Sequence, residues 1–218
     1  MAGGTSNRPV PGSLLVPPSI SSPTIRAIIF LMLPLLLPFS ILYRLVLTFR
    51  RRHWPKRNSA RLDAPVISVG NITCGGTGKT PTVEMIVREL IDRGWNPAIL
   101  SRGYGVSPGI SDGNFLQAEI IEGNDEYLLL SENLPSVPHY QGRDRAARGR
   151  EAIAAGADIL VLDDGFQHLR LHRDADLVLL DALRPFDNGR VIPAGLLREP
   201  IGALEAADLI AVTRVELV

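Results

Sequence analysis

Lys79 and Thr80 close the run Val69-Gly-Asn-Ile-Thr-Cys-Gly-Gly-Thr-Gly-Lys-Thr-Pro81. These residue types suit phosphate chemistry. Glycines lack a Cβ, so successive backbone N–H groups can converge on phosphate oxygens. A helix opening at the end of the run adds its partial positive charge. Thr73, Cys74, Gly75, Gly76, Thr77, Gly78, Lys79 and Thr80 therefore form a candidate phosphate-binding loop. Lys79 would reach the β- and γ-phosphates, the Thr80 hydroxyl would bind Mg²⁺, and Pro81 suits a first helical turn that needs no N–H. The usual spacing has a glycine where Thr73 stands, and Gly75 and Gly76 supply the flexibility instead. The bland alternative is a glycine-rich turn with a surface lysine.

A second cluster is Ala157-Asp-Ile-Leu-Val-Leu-Asp-Asp-Gly-Phe-Gln-His168. Four apolar residues followed by aspartate place a carboxylate at a strand's end, where it can bind Mg²⁺ directly or through water. Asp-Asp-Gly is also a common turn, and the upstream loop gives the pair its meaning. If the pleat continues, Asp163 and Asp164 point to opposite faces. One would then bind metal while the other orients something else. His168 reads equally as a phosphate or acceptor contact and as a structural histidine. Ser101-Arg-Gly-Tyr-Gly105 is a candidate anion turn or an ordinary connection. Asp125 reads as a functional carboxylate or as the start of a helix. The segment from Asp187 to Pro200 is long and punctuated by Gly and Pro, which suits a binding loop.

These residues need a scaffold, and the sequence describes one. Pro65–Val69, Pro97–Leu100, Leu116–Ile121, Ile159–Leu162, Leu177–Leu180 and Leu209–Val212 read as strands. Pro81–Arg93, Asp125–Glu132 and Arg145–Ala155 read as helices, and Gly94 ends the first. Alternating strands and helices predict an α/β fold: a P-loop NTPase-like, mostly parallel sheet with helices on both faces. Ligands in such sheets bind beyond the carboxyl ends of the strands.

Composition bounds the rest. The chain has 218 residues, 45% apolar, which is enough for a core. Its single cysteine excludes a disulfide framework and a multi-thiolate zinc site. Charge is balanced in total but segregated along the chain. Nine basic and no acidic residues precede Asp63, leaving 14 basic against 23 acidic from Asp63 onward. That asymmetry does not suit a nucleic-acid binder, and no nucleic-acid partner is expected. Residues 1–23 read as a disordered lead rich in Gly, Ser and Pro. Ala27 to Tyr43 is uncharged, and as a helix of about 25 Å it is slightly short of a bilayer core. Pro34 and Pro38 would kink it. The basic run Arg50–Arg57 follows. Residues 24–57 read as a membrane-associated helix, inserted or interfacial, with the basic run against anionic cytoplasmic headgroups. A buried core helix and a cleaved signal peptide are the other readings. The latter lacks a small-residue cleavage site and has its positive charge on the wrong side. Residues 58–218 form the globular part.

Taken in order, Val69 to Pro81, Ser101 to Gly105, Asp125-Glu126, Gly142-Arg-Asp-Arg145, Leu162 to His168 and Asn188 to Pro200 resemble the tetraacyldisaccharide 4'-kinase family of lipid A synthesis. The resemblance runs from about residue 24 to the end. It implies transfer of the ATP γ-phosphate to the 4'-hydroxyl of a lipid A disaccharide 1-phosphate precursor, at the cytoplasmic face of the inner membrane. It implies ATP and Mg²⁺ as cofactors. Carried over by position, Asp163 and Asp164 match the metal-site aspartates and His168 the active-site histidine. Asp125 matches an aspartate that acts with a histidine of a C-terminal lobe, although Asn124 and Tyr127 replace the family's flanking Gly and Pro. Catalytic candidates are thus Asp125, Lys79, Asp164 and His168. Thr80, Asp163 and Asp164 are the metal candidates. The chain ends where that lobe would begin, so the expectation is nucleotide binding with weak or no turnover unless the lobe acts in trans. A membrane-anchored ATPase or switch, and a non-catalytic nucleotide-binding fragment, are the alternatives.

Overall fold

The computed structural model describes residues 23–53, 59–103 and 125–218. The strand expected over Leu116–Ile121 and the turn residues Tyr104 and Gly105 lie outside them.

Six strands form one sheet: β1 (Val66–Asn71), β2 (Pro97–Ser101), β3 (His139–Gln141), β4 (Ile159–Asp163), β5 (Ala175–Asp181) and β6 (Leu209–Thr213). Their order is β3-β2-β4-β1-β5-β6 and every pairing is parallel. Four α-helices accompany them: α1 (Pro23–His53), α2 (Lys79–Asp92), α3 (Asp125–Asn133) and α4 (Arg145–Ala154). β3 escapes the sequence reading because His-Tyr-Gln has no apolar run. It is a three-residue edge strand, and none of its residues is fully buried.

Strand periodicity divides the core. Ala98, Leu100, Leu160 and Leu162 pack with Ala146 and Ala152 of α4 on one face. Ile99 and Val161 pack with Val83 and Val87 of α2 and Leu130 of α3 on the other. The central strands are thus covered on both sides, which is why they read as continuous apolar runs. A third cluster joins Val178 and Leu180 of β5 to Phe166, Val191 and Leu197. The 187–200 segment is therefore a packing layer over the sheet as well as a loop.

Register brings the chemistry together. β1 lies beside β4 with Val69 opposite Asp163. The glycine-rich loop that follows β1 and the carboxylates that end β4 consequently share one sheet edge. Close packing fixes that edge, since a Cβ on Gly70 would sit 2.6 Å from the Phe166 Cβ and 2.9 Å from its backbone nitrogen. Gly70→Ala is expected to lower stability by roughly 1–3 kcal/mol, or about 5–10 °C in melting temperature. Gly149→Ala should cost less, because its Cβ meets only the tips of flexible leucines. Thermal melts of the two variants check this.

Candidate active site

Gly78 precedes α2 in a left-handed conformation (φ 77°) and makes no side-chain cap. The first N–H groups of α2 therefore point into the site without an internal acceptor. α4 contrasts with it: Asp144 caps that helix by accepting from the Ala147 N–H at 3.0 Å. A Cβ at Gly75 or Gly76 would meet nothing within 4 Å, so open space lies against this backbone. An uncapped helix start facing open space suits an anion.

The loop is held from behind. Asn71 Nδ2 donates to Thr77 Oγ1 at 3.0 Å, and Thr213 Oγ1 donates to the Thr77 carbonyl at 3.0 Å. Arg214 Nη2 donates to the Gly76 carbonyl at 2.6 Å and also pairs with Asp181. Thr73 is buried and paired with Leu197, and the Cys74 N–H donates to the Leu196 carbonyl at 2.7 Å. Those two residues anchor the loop, leaving the amides from Gly75 onward to face a ligand. A cleft of about 400 Å³ opens beside Thr73–Thr77 and is bounded by Asp181, Arg184, Asp187 and Arg214.

Lys79 and Thr80 are both buried. Lys79 Nζ lies 3.9 Å from Asp164 Oδ1. The pleat that would send Asp163 and Asp164 to opposite faces ends between them. Asp163 is the last residue of β4, and Asp164 turns to φ 50°. Aspartate tolerates this left-handed region better than most residues. Both carboxylates consequently feel Lys79 and Arg145.

Their environments differ. Asp164 accepts two hydrogen bonds from Arg198, each 3.0 Å, which with Lys79 and Arg145 hold its carboxyl below the usual range despite burial. Burial, reinforced by the nearby charges of Glu126 and Asp164, pushes Asp163 up to about 6. Asp163 Oδ1 is enclosed without a hydrogen-bond partner. An enclosed carboxylate oxygen without a partner at the sheet edge that carries the phosphate loop is a hard oxygen donor that fits Mg²⁺. No cluster of three His, Cys, Asp or Glu side chains suited to a metal exists among the described residues.

His168 stands two residues beyond Phe166 and donates its backbone N–H to the Gly165 carbonyl at 2.8 Å. Burial, then the charges of Arg145, Arg173 and Arg170, depress its imidazole to about 4. It is neutral near pH 7 and can donate or accept a hydrogen bond. Asp125 is the first residue of α3. Its neighbour Glu126 is close enough to act on Asp163, which brings the start of α3 to the same sheet edge.

Sequence reasoning did not single out Arg145 or Arg198. Arg145 is buried at the start of α4, and its Nη1 donates to the Asp164 carbonyl at 3.3 Å. Both arginines lay inside stretches that carried the family resemblance. The available signal was a lone arginine, one opening a helix and one in a loop, which is too common to stand alone.

The family model described as tetraacyldisaccharide-1-P 4'-kinase matches residues 32–217. A tetraacyldisaccharide 4'-kinase of Syntrophus aciditrophicus is 47% identical over 181 residues, covering 79% of this chain and 48% of the relative. One from Pelobacter propionicus is 47% identical over 191 residues, covering 84% and 53%. The crystal structure of LpxK from Aquifex aeolicus in complex with ATP superposes with a TM-score of 0.74 at 36% identity, covering 87% of this chain and 60% of that one. The chain spans about half the length of the curated relatives it matches.

Proposed function

Because the chain belongs to the tetraacyldisaccharide-1-P 4'-kinase family, we propose that it forms the nucleotide-binding half of a kinase. That kinase transfers the ATP γ-phosphate to the 4'-hydroxyl of a lipid A disaccharide 1-phosphate. The carrying observation is the convergence of an uncapped α2 start, buried Lys79 and the Asp163–Asp164 pair on one sheet edge.

Each residue has a role in this reading. The amides of Gly75–Thr80 cradle the phosphates. Lys79 carries positive charge to the β- and γ-phosphates, where charge shifts in the transition state. Thr80 and Asp163 would hold Mg²⁺, which when bound neutralises phosphate charge. Asp164 is the pivot that orients Lys79 and Arg198. Neutral His168 offers a hydrogen bond to phosphate or acceptor. Asp125 is the candidate for accepting the proton of the attacking hydroxyl.

Transfer of labelled γ-phosphate to tetraacyldisaccharide 1-phosphate in detergent micelles tests the proposal. A single-turnover format detects a slow half-enzyme. Lys79-dependent product supports the kinase. ATP turnover without lipid product would favour a hydrolysing switch instead.

The same reading places α1 on the membrane. Leu33–His53 is long and apolar enough to cross a bilayer, yet only 11% of its most apolar window is buried. α1 continues as helix through Pro34 and Pro38. One side is docked on the globular part: Leu47 is buried, and Ser40 Oγ donates to the Val191 carbonyl at 2.6 Å while accepting from the Ala194 N–H at 2.9 Å. The opposite side exposes Leu35, Phe39, Leu42, Leu45, Val46 and Phe49. A span through residues 40–51 would draw the docked domain into hydrocarbon, so an interfacial helix with its apolar side in the bilayer fits better. Leu42→Asp with Phe49→Asp removes about 1.5–3 kcal/mol of burial per side chain. Liposome partitioning should fall by at least about 100-fold, as read by co-sedimentation; unchanged sedimentation would refute the interfacial placement.

Arg50 and Arg51 pair with Glu199, Arg50 with 39% of its side chain still exposed, while Arg52 and His53 are exposed. Trp54–Asn58, with the rest of the run, lie outside the described residues.

A further inference from the structure

We propose that the ion pair between the last turn of α1 and Glu199 is a positioning device, linking the seating of α1 to the grip of Arg198 on Asp164. It rests on the nucleotide site described above.

Glu199 is fully enclosed, with 0% of its side chain exposed. A buried carboxylate needs partners, and both of its partners are distant in sequence. Arg51 Nε lies 3.2 Å from Glu199 Oε2, and Arg50 Nη2 lies 3.5 Å from Oε1. The same two arginines reach the segment after the paired aspartates. Arg51 Nη2 donates to the Phe166 carbonyl at 3.2 Å, and its guanidinium sits 4.1 Å over the Phe166 ring. Arg50 Nη2 donates to the Gln167 carbonyl at 3.3 Å.

Both grasped segments are bonded to the root of the phosphate loop. The backbone N–H of Arg198 donates to the Ile72 carbonyl at 2.7 Å, and Gln167 Nε2 donates to the Asn71 carbonyl at 2.7 Å. Arg198 turns one way to Asp164, and Glu199 turns the other way to α1. The last turn of α1 therefore holds two segments, Phe166–Gln167 and Arg198–Glu199, that are both bonded to the root of the phosphate loop.

Stability alone is a poor reason for this arrangement. A buried carboxylate with two guanidinium partners gains little over well-packed apolar residues. It does fix direction, because a guanidinium donates its hydrogen bonds only along the fixed directions of a planar fork. Movement of α1 relative to the sheet would be transmitted to Arg198, and so to Asp164 and Lys79.

The test is a mutant cycle read by calorimetric titration of MgATP into residues 1–218 in detergent micelles, with a thermal melt of each variant. Arg51→Ala and Glu199→Gln are each expected to weaken MgATP about 10-fold, and Arg51→Lys by less. In an Arg198→Ala background, Arg51→Ala should cause no further loss, because its path to the nucleotide is already cut. MgATP affinity within twofold of the unmodified chain, or losses that multiply with Arg198→Ala, overturns the inference. So does a lowered melting temperature with unchanged affinity, which makes the pair structural only. If Arg51→Ala gives no cooperative melt, the near-isosteric Glu199→Gln carries the same comparison. An unmodified chain that binds no ATP overturns the nucleotide-site reading first and this inference with it. Lys79-dependent binding that is indifferent to Arg51 and Glu199 overturns this inference alone.

Discussion

Lys79→Ala is expected to weaken ATP binding by at least about 100-fold and to take γ-phosphate transfer below detection. The Lys79 ammonium is buried, and its nearby ion-pair partner, Asp164 at 3.9 Å, is also held by Arg198. A phosphate oxygen at similar range would gain gross attraction of about 4 kcal/mol at an effective dielectric near 20. Desolvation removes part of that. A net loss of about 2.7 kcal/mol on truncation corresponds to the 100-fold figure. The fold should survive, because Asp164 keeps both bonds to Arg198. Lys79→Arg should restore little, since a planar guanidinium does not fit a site shaped for a compact ammonium. Calorimetric titration with ATP, beside a thermal melt, checks both halves. Unchanged affinity in a folded Lys79→Ala chain would sink the assignment.

Asp163→Asn should move binding and stability in opposite directions. Loss of a charged metal ligand is expected to slow any Mg²⁺-dependent transfer by about 100-fold or more and to flatten the Mg²⁺ dependence of ATP affinity. Without nucleotide and metal the variant should be the more stable protein. The folded Asp163 carboxyl is raised to about 6 from an ordinary 3.8, chiefly by burial. A raised acid favours the folded state when protonated. Its contribution is fully present below pH 3.8 and lost as pH rises through about 6. Asparagine is neutral throughout and escapes that loss. The stability difference between variant and unmodified chain should thus be small near pH 4 and grow towards about 3 kcal/mol above pH 7. His139 and His168 act in the opposite sense, since burial depresses both to about 4 and their contribution fades as pH falls from 6.5. They are common to both proteins and cancel in the comparison. Denaturant titrations at pH 4.5, 6 and 8 make the measurement; a difference independent of pH would show that Asp163 does not titrate as its burial requires.

The scaffold was legible because it depends on local pattern. β1, β2, β4, β5 and β6 are short apolar runs, and burial on both faces of a parallel sheet demands such runs. α2 follows from its 3.6-residue apolar stripe and from Gly94, whose φ of 86° ends it. The phosphate loop and the aspartate pair were legible for a related reason. Each is a contiguous string whose function lies largely in its own backbone geometry.

Arg198, Arg145 and the α1–Glu199 link belong to the tertiary structure alone. A lone arginine carries no local sign of its partner, and the partners here lie far away: Asp164 is 34 residues from Arg198, and Glu199 is 148 from Arg51. The basic run after α1 showed the same limit. Sequence marks Arg50–Arg52 as charged and near an apolar helix, which describes a headgroup contact and a buried clamp equally well. Only the docking of α1, set by Ser40 and Leu47 on one side of the helix, turns Arg50 and Arg51 to Glu199 and leaves Arg52 outside. Local order in the chain determined the sheet, the helices and the strings that can hold phosphate. Long-range packing decided which charges meet at the site, because the free energy of a buried ion pair depends on desolvation and direction that no single segment contains.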